Sequence, residues 1–202
     1  MAEGSETAAE RWNRKYADRS SEAPTEPAAF LKQAVTWMRC RGKALDLAMG
    51  AGGNAVFLAE RGFEVTGIDI SEVGVNHSRR HAQVRGVQIE SLVADLASLS
   101  LGDSCWDLIV NFYFLDRSLF PKFITALAPG GHFVLETFST DHPPLGGGFG
   151  PKNPAYLLEP NELLSAFAEL RVLHYEDLVV DRDEKGRGPA GLIRMVARKE
   201  GS

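Results

Sequence analysis

The sequence is poor in cysteine, in net positive charge and in long apolar runs. Its two cysteines, Cys40 and Cys105, form neither a paired framework nor a C-x-x-C motif, which is typical of reduced thiols in a cytoplasmic protein. The net charge of -5 disfavours a general affinity for nucleic acid. No apolar run has membrane-spanning length, and the N-terminus lacks the basic start and apolar centre of an export signal. We therefore expect a cytoplasmic protein that binds neither nucleic acid nor a membrane.

The remaining composition is that of an ordinary globular protein. Hydrophobic residues make up 44% and charged residues 24% of the 202 positions, and this length suits one domain with a single core. Residues 1–25 are predicted to be a disordered or short helical extension, with disorder up to about Glu10, and residues 26–202 to form the domain. We expect a monomer or a weak homodimer.

The segment 43–62, KALDLAMGAGGNAVFLAERG, predicts a strand, a glycine turn and a helix. Apolar residues on both sides of Asp46 indicate a strand that is buried on both faces of a parallel sheet. Gly50 and Gly52 allow a ligand to approach the backbone amides closely. Asn54 is the predicted N-cap of the helix that follows. Such a unit forms a cradle for a nucleotide.

Two cofactor classes fit this cradle. The residues from Gly50 to Ala55 match the G-x-G-x-x-A variant of the dinucleotide-binding fingerprint. They also fit a glycine turn that binds S-adenosylmethionine. Asp46 separates the two, because a carboxylate there repels a pyrophosphate and favours a ligand that carries an ammonium and a sulfonium. The sequence therefore favours S-adenosylmethionine, and a glycine turn that binds no ligand remains the alternative.

Further acidic residues stand where later strands end. Asp69, followed by Ile70, ends a predicted strand about 20 residues beyond the glycine turn, where a carboxylate reaches ribose hydroxyls. Asp95 and Leu96 stand at the exit of the next strand, where a carboxylate and a backbone amide can bind adenine. Ser71 is the predicted cap of the helix over residues 72–85.

In the rest of the chain, segments with the apolar pattern of a strand alternate with segments that have the apolar periodicity of a helix. Helices are predicted over residues 27–38, 72–85, 119–127 and 159–168, and strands over residues 63–69, 87–94, 106–111, 132–138, 170–180 and 190–199. Pro129-Gly130-Gly131 is predicted to separate a helix from the fifth strand. The alternation predicts an α/β fold with a doubly wound, Rossmann-like sheet that ends in an antiparallel hairpin.

These motifs together resemble a class I S-adenosylmethionine-dependent methyltransferase. The resemblance rests on the acid-glycine turn, Asp69, the exit at Asp95, WDLIV, LAPGG and the terminal hairpin. WNRKYA, DLA-x-G-x-G-x-NAVFLAERG and NPAYLLEPNELL are similar to the tellurite-resistance methyltransferase-like group of bacterial proteins. Two departures are Ala48, where many members have the first glycine, and Met49, and neither removes an amide donor.

The resemblance implies a seven-stranded sheet whose last strand runs antiparallel, with the cofactor at the carboxyl ends of the first four strands. It also implies that the backbone of Gly50 and Gly52 holds the aminoacyl portion and that Asn111 lies near it. Tyr16, four residues after Trp12 on a short predicted helix, either contacts the ligand or packs on the domain.

Methyl transfer needs no dedicated base, because the cationic leaving group already activates the carbon. Tyr113, Asp116 and His142 are nevertheless candidates at the acceptor side, with the role of an ordinary polar surface residue favoured for Asp116 and His142. His77 and His81 lack a third ligand, so we assign no metal and expect a solvated helix face. The run 139–158, rich in glycine and proline, is predicted to be a lid.

The predicted activity is methyl transfer to a small-molecule acceptor, such as a metalloid oxyanion or a metabolite. A noncatalytic sensor that binds S-adenosylmethionine is one alternative. A methyltransferase of this class needs no recognisable catalytic residue, so the sequence does not distinguish an enzyme from a sensor. A nicotinamide-dependent oxidoreductase is the other, and Asp46 with Asp95 disfavours it.

Overall fold

A seven-stranded sheet forms the centre of the molecule. The structure, a computed structural model, describes residues 6–18, 26–38, 41–142, 150–181 and 188–201. The strands are β1 Lys43–Leu47, β2 Glu64–Asp69, β3 Glu90–Val93, β4 Trp106–Phe112, β5 Leu127–Phe138, β6 Arg171–Val180 and β7 Ala190–Arg198. The helices are α1 Ala8–Ala17, α2 Ala29–Trp37, α3 Gly53–Ala59, α4 Glu72–Arg85, α5 Phe120–Ala126 and α6 Glu162–Ala166.

The strand order is β3-β2-β1-β4-β5-β7-β6. The first five strands are parallel to one another, and β7 runs antiparallel to both β5 and β6. The predicted doubly wound sheet with a terminal antiparallel hairpin is therefore confirmed. Strand order reverses between β1 and β4, and this is the point at which an open α/β sheet forms its ligand crevice.

Each face of the sheet is covered by helices. Phe30 of α2, Leu58 of α3 and Val75 of α4 pack in one buried cluster with Leu108 of β4. The other face is covered by α5 and α6, and it buries a cluster that includes Phe123, Leu163 and Phe167. Because both faces are buried, the central strands are almost continuously apolar, as the sequence predicted for β1.

The start of β5 differs from the prediction. The strand begins at Leu127 and includes Pro129-Gly130-Gly131, which the sequence placed in a break before His132. Leu127 pairs with Trp106 across a register shift, and the Gly130 N–H donates to the carbonyl of Lys199 over 2.8 Å. The expected break was wrong because a distant strand supplies the hydrogen bonds that make this segment a strand.

Several element ends also differ. Helix α1 begins at Ala8, before the expected boundary at Glu10, because Thr7 and Glu10 form a capping box. Strand β3 and helix α6 are shorter than predicted. Residues 1–5, residues 19–25, Cys40 and the centre of the hairpin turn (182–187) lie outside the described residues. Within the described part of the chain, no helix is both long and apolar enough to cross a membrane.

Candidate functional site

The glycine turn joins β1 to α3 through residues with positive φ. Ala48, Gly50 and Gly52 have φ values of 53°, 56° and 78°. Gly52, in the left-handed conformation, is the N-cap of α3, so the predicted cap at Asn54 was wrong. The Asn54 side chain instead accepts a hydrogen bond from the backbone N–H of Ala28 over 2.9 Å. The turn is thus built from backbone geometry, and Asn54 fastens it to the start of α2.

Asp69 organises this turn from the end of β2. One carboxylate oxygen accepts the Gly50 N–H over 2.8 Å and the other accepts the Ser71 N–H over 2.7 Å. Burial raises the pKa of Asp69, and these two hydrogen bonds oppose the increase. Ser71 caps α4 through its hydroxyl, which accepts the Gly74 N–H over 3.0 Å, as predicted. A single acid therefore joins the glycine turn to the next strand-to-helix loop.

Helix α1 lies directly against the glycine turn. A Cβ atom on Gly50 would collide with the hydroxyl of Tyr16, and a Cβ on Gly74 would lie 3.1 Å from the same ring. The side-chain amide oxygen of Asn13 accepts a hydrogen bond from the Ser71 hydroxyl over 2.8 Å, which ties α1 to the start of α4. Tyr16 therefore packs on the turn, and its contact with a ligand stays a prediction.

Asp46 lies on β1 and is 1% exposed. One oxygen accepts the Ala55 N–H, and Oδ2 finds no hydrogen-bond partner among the described residues. Burial raises the pKa of Asp46 to about 8, with the nearby charge of Asp69 adding to the increase. Burial thus favours the protonated form of Asp46 at neutral pH, whereas the sequence argument treated this residue as a carboxylate. A cationic ligand would favour its ionised form.

Asn111, near the carboxyl end of β4, is a second buried polar group. It is 0% exposed, and neither atom of its side-chain amide has a partner among the described residues. Asn111 pairs in register with Leu47, one residue after Asp46 on β1. Since successive side chains alternate between faces, the two polar groups lie on opposite faces of the sheet at adjoining strand ends. Unsatisfied buried polar groups at a crevice are a signal for a ligand.

The predicted adenine site lies at the end of β3. The Ala94 N–H donates to the carbonyl of Asp69 over 3.0 Å, which brings the two strand exits together. Asp95 is exposed, and one of its oxygens accepts the Ala97 N–H over 2.9 Å. Leu96 is buried and Ile70 is half-buried. The ends of β2 and β3 are thus adjacent, and Asp69 and Asp95 lie at these two ends.

The predicted acceptor side lies at the ends of β4 and β5. Tyr113 directly follows β4 with a φ of 60°, and its hydroxyl donates to the carboxylate of Glu136. Glu136 in turn accepts the Nε–H of Arg194 over 2.5 Å. The sequence interpretation missed Glu136 and Arg194, although each is a single charge inside an apolar strand, in HFVLETF and GLIRMVA. A single charged residue inside an apolar strand is the sequence feature that could have identified Glu136 and Arg194.

The other two acceptor-side candidates have different surroundings. Asp116 accepts the Ser118 N–H over 3.0 Å and caps the 3-10 helix Arg117–Leu119, which is a structural role. His142 is buried, and its ring centre lies 4.6 Å from that of Phe138, so the expected surface position was wrong for this residue.

His81 corrects a further prediction. It is 9% exposed rather than solvated, and burial together with the charge of Arg85 lowers its pKa. No group of three or more possible metal ligands occurs within the described ranges.

Hydrogen bonds hold the two ends of the predicted lid. Ser139 forms a parallel bridge with Leu158, and the Thr140 N–H donates to the Leu158 carbonyl over 2.9 Å. The guanidinium of Arg117 donates to the carbonyls of Ala155 and Leu157, each over 2.7 Å. Residues 143–149, the centre of the predicted lid, lie outside the described residues. Closure of this segment stays a prediction.

Comparison with known proteins matches residues 44–131 to a family described as a methyltransferase domain. The demethylmenaquinone methyltransferase of Thermus thermophilus is 35% identical over 116 residues, which cover 54% of this chain and 51% of that protein. TehB of Haemophilus influenzae, a probable S-adenosyl-L-methionine-dependent methyltransferase, is 25% identical over 170 residues, which cover 78% and 57% respectively. The crystal structure of TehB from Haemophilus influenzae has a TM-score of 0.72 at 19% identity, covering 94% of this chain and 67% of that chain.

The chain spans about half the length of the curated relatives that it matches. The match of residues 44–131 includes the glycine turn, Asp69 and β4, which are the features that the sequence interpretation used. The resemblance stated from the motifs is confirmed by these findings. Residues 44–131 therefore match a methyltransferase domain, and the chain has the fold of the class I S-adenosylmethionine-dependent methyltransferases, with TehB similar to it in both sequence and structure.

Proposed function

We propose that this chain binds S-adenosylmethionine at the carboxyl ends of β1 to β4 and transfers its methyl group to a small-molecule acceptor. The observation that carries the proposal is the pair of hydrogen bonds that Asp69 accepts from the backbone amides of Gly50 and Ser71. Each carboxylate oxygen has a second lone pair for a ribose hydroxyl. One acid thereby holds the turn in shape and offers acceptors to a nucleoside.

The other contacts follow from the positions of the buried polar groups. Asp46 has one oxygen without a partner in the described residues, and an ammonium or sulfonium nearby would stabilise its charged form. Asp95 and the amide of Leu96 are proposed to bind adenine, and Tyr16 is proposed to cover the cofactor from α1. The proposed cofactor residues are Tyr16, Asp46, Gly50, Gly52, Asn54, Asp69, Ile70, Asp95, Leu96 and Asn111.

Methyl transfer from a sulfonium is an in-line displacement that requires alignment and exclusion of water more than acid-base chemistry. When bound, the cofactor supplies the activated methyl group. The residues of this chain would orient it against an acceptor near Tyr113. The name of the Thermus thermophilus relative specifies demethylmenaquinone, which supports a small-molecule acceptor for this chain as well.

Calorimetric titration with S-adenosylhomocysteine and with NADH tests the cofactor. We expect saturation by S-adenosylhomocysteine at one site per chain and no heat from NADH. Asp107→Asn is a suitable control, because Asp107 accepts the Lys43 N–H over 2.8 Å at the opposite edge of the sheet and its loss should leave affinity unchanged. Saturation by NADH alone would instead favour an oxidoreductase.

Turnover separates the enzyme from a sensor. Incubation with methyl-labelled S-adenosylmethionine and a panel of small acceptors should release S-adenosylhomocysteine in proportion to labelled product. Tight cofactor binding without any transfer would favour a noncatalytic sensor.

A further inference from the structure

The turn between β1 and α3 presents one side chain to the ligand crevice. Its glycines have no side chain, and Met49 and Ala51 are buried. Ala48, which directly follows β1, is half-buried, whereas every other residue from 44 to 53 is buried. The structure describes this segment throughout, so Ala48 is the one residue in it with an appreciable accessible surface. That surface lies at the carboxyl end of β1, where the crevice begins.

Ala48 also has a strained backbone. Its φ of 53° lies in the left-handed region, where the Cβ atom of an L-residue approaches a carbonyl oxygen too closely. Glycine adopts the same conformation without this clash. Exchange of a single methyl group for a hydrogen atom would therefore relieve the strain. Because strained residues concentrate at ligand sites, a methyl group at this position points to a contact with the ligand.

The methyl group does not hold the turn in shape. The Met49 N–H donates to the carbonyl of Ile68 over 3.0 Å, and the Gly50 N–H donates to the carboxylate of Asp69 over 2.8 Å. These hydrogen bonds fix the backbone that follows Ala48 without involving its side chain. A half-buried methyl group also adds little to the hydrophobic core. Neither the order of the turn nor burial accounts for the strained alanine.

Two neighbours indicate which part of a ligand this methyl group would meet. Asp46, two residues earlier on β1, has one carboxylate oxygen without a partner in the described residues, and an ammonium is proposed to bind there. Gly50, two residues later, is proposed to hold the aminoacyl portion through its backbone. Ala48 lies between them in the chain. The aliphatic part of the aminoacyl chain is therefore the part of the ligand that its methyl group would meet.

We propose that the methyl group of Ala48 packs against the aminoacyl chain of S-adenosylmethionine and makes the site prefer adenosyl ligands with this chain over those without it. Ala48 is thereby a specificity-determining residue. This inference rests on the proposed function and specifies how the same site selects its cofactor.

The test compares two ligands by calorimetric titration of wild type and Ala48→Gly. S-adenosylhomocysteine carries the aminoacyl chain, whereas 5′-methylthioadenosine keeps the adenosine and the thioether sulfur but lacks that chain. Binding of 5′-methylthioadenosine is measured by displacement of S-adenosylhomocysteine where its own heat is small. Ser104→Gly is the matched control, because Ser104 has the same φ of 53° but is exposed and lies before β4, at the opposite end of the strands.

We expect Ala48→Gly to bind S-adenosylhomocysteine about threefold to fivefold more weakly, the effect of one buried methyl group. Its affinity for 5′-methylthioadenosine should equal that of wild type, and Ser104→Gly should bind both ligands as wild type does. Both variants should melt about 2–4 °C above wild type, because each relieves the strain of one left-handed residue.

An unchanged affinity of Ala48→Gly for S-adenosylhomocysteine, an equal loss for both ligands, or no rise in its melting temperature would overturn the inference. Hydrogen exchange of residues 48–53 in the empty proteins, measured by mass spectrometry, should be the same in Ala48→Gly and wild type. Faster exchange in the variant would mean that the methyl group acts by stiffening the turn, and the proposed contact would be wrong. Failure of the proposed function is distinct, because wild type would then not bind S-adenosylhomocysteine.

Discussion

Replacing Asp46 by asparagine should change how the stability of the protein depends on pH. Asparagine keeps an oxygen for the Ala55 N–H and removes the group whose pKa burial raises from 3.8 to about 8. Between these two pH values the native protein holds a proton that the unfolded chain has released. The contribution of Asp46 to stability is therefore complete below pH 3.8 and is lost as pH rises through about 8.

The size of the effect follows from the shift. Each pH unit in this window lowers the free energy of unfolding of wild type relative to Asp46→Asn by about 1.4 kcal/mol, and the whole window corresponds to about 6 kcal/mol. Urea denaturation of both proteins from pH 4 to pH 9 measures the difference. We expect it to grow steadily up to about pH 8 and then to level off. Titrating groups that do not interact with Asp46 cancel in the comparison because both proteins contain them.

A difference that stays constant above pH 5 would refute this reasoning, since it would mean that Asp46 ionises as it does in water. Far-ultraviolet circular dichroism establishes that Asp46→Asn keeps the fold.

The titration of Asp46 can also be followed in cofactor binding. Binding of S-adenosylmethionine should release a proton below about pH 8, which calorimetry detects as a dependence of the heat on the buffer, and Asp46→Asn should abolish that dependence.

Three further predictions concern the crevice and its surroundings. Gly50→Ala should weaken S-adenosylhomocysteine binding more than tenfold, because its Cβ collides with the α1 tyrosine hydroxyl; Gly62→Ala, at φ 83° with no atom within 4 Å, should cost only about 1–2 kcal/mol of stability and leave affinity intact. Asp69→Ala should raise the dissociation constant about tenfold to hundredfold through lost hydrogen bonds, and an unchanged constant in the folded variant would remove Asp69 from the site. Arg117→Gln should speed hydrogen exchange of the backbone amides of residues 155–157, because Arg117 donates to the carbonyls of Ala155 and Leu157. Mass spectrometry measures this exchange, and an unchanged rate would show that Arg117 and its ion pair with Glu162 do not anchor the loop.

The sequence by itself determined those features that depend on neighbouring residues. Helix α4 has the predicted bounds, Glu72–Arg85, because Ser71 caps its start and Gly86 adopts the left-handed conformation at its end. The glycine turn and Asp69, which ends β2, were likewise predicted from the sequence, because they are separated by only a short stretch of the chain. Alternation of strand and helix patterns was enough for the fold class.

Only the tertiary structure decided features that depend on residues far apart in the chain. The side chain of Asn54 does not cap α3, because it accepts a hydrogen bond from the backbone N–H of Ala28, which is 26 residues away. Glu136, Arg194 and Tyr113 come together through the register of β4, β5 and β7, and no local periodicity encodes which residues lie opposite one another. The charge state of Asp46 was also hidden, because burial on a strand between two layers of helices changes its pKa while the sequence shows only a carboxylate. Local patterns specify elements, whereas the pairing of strands specifies the chemical environment of the site.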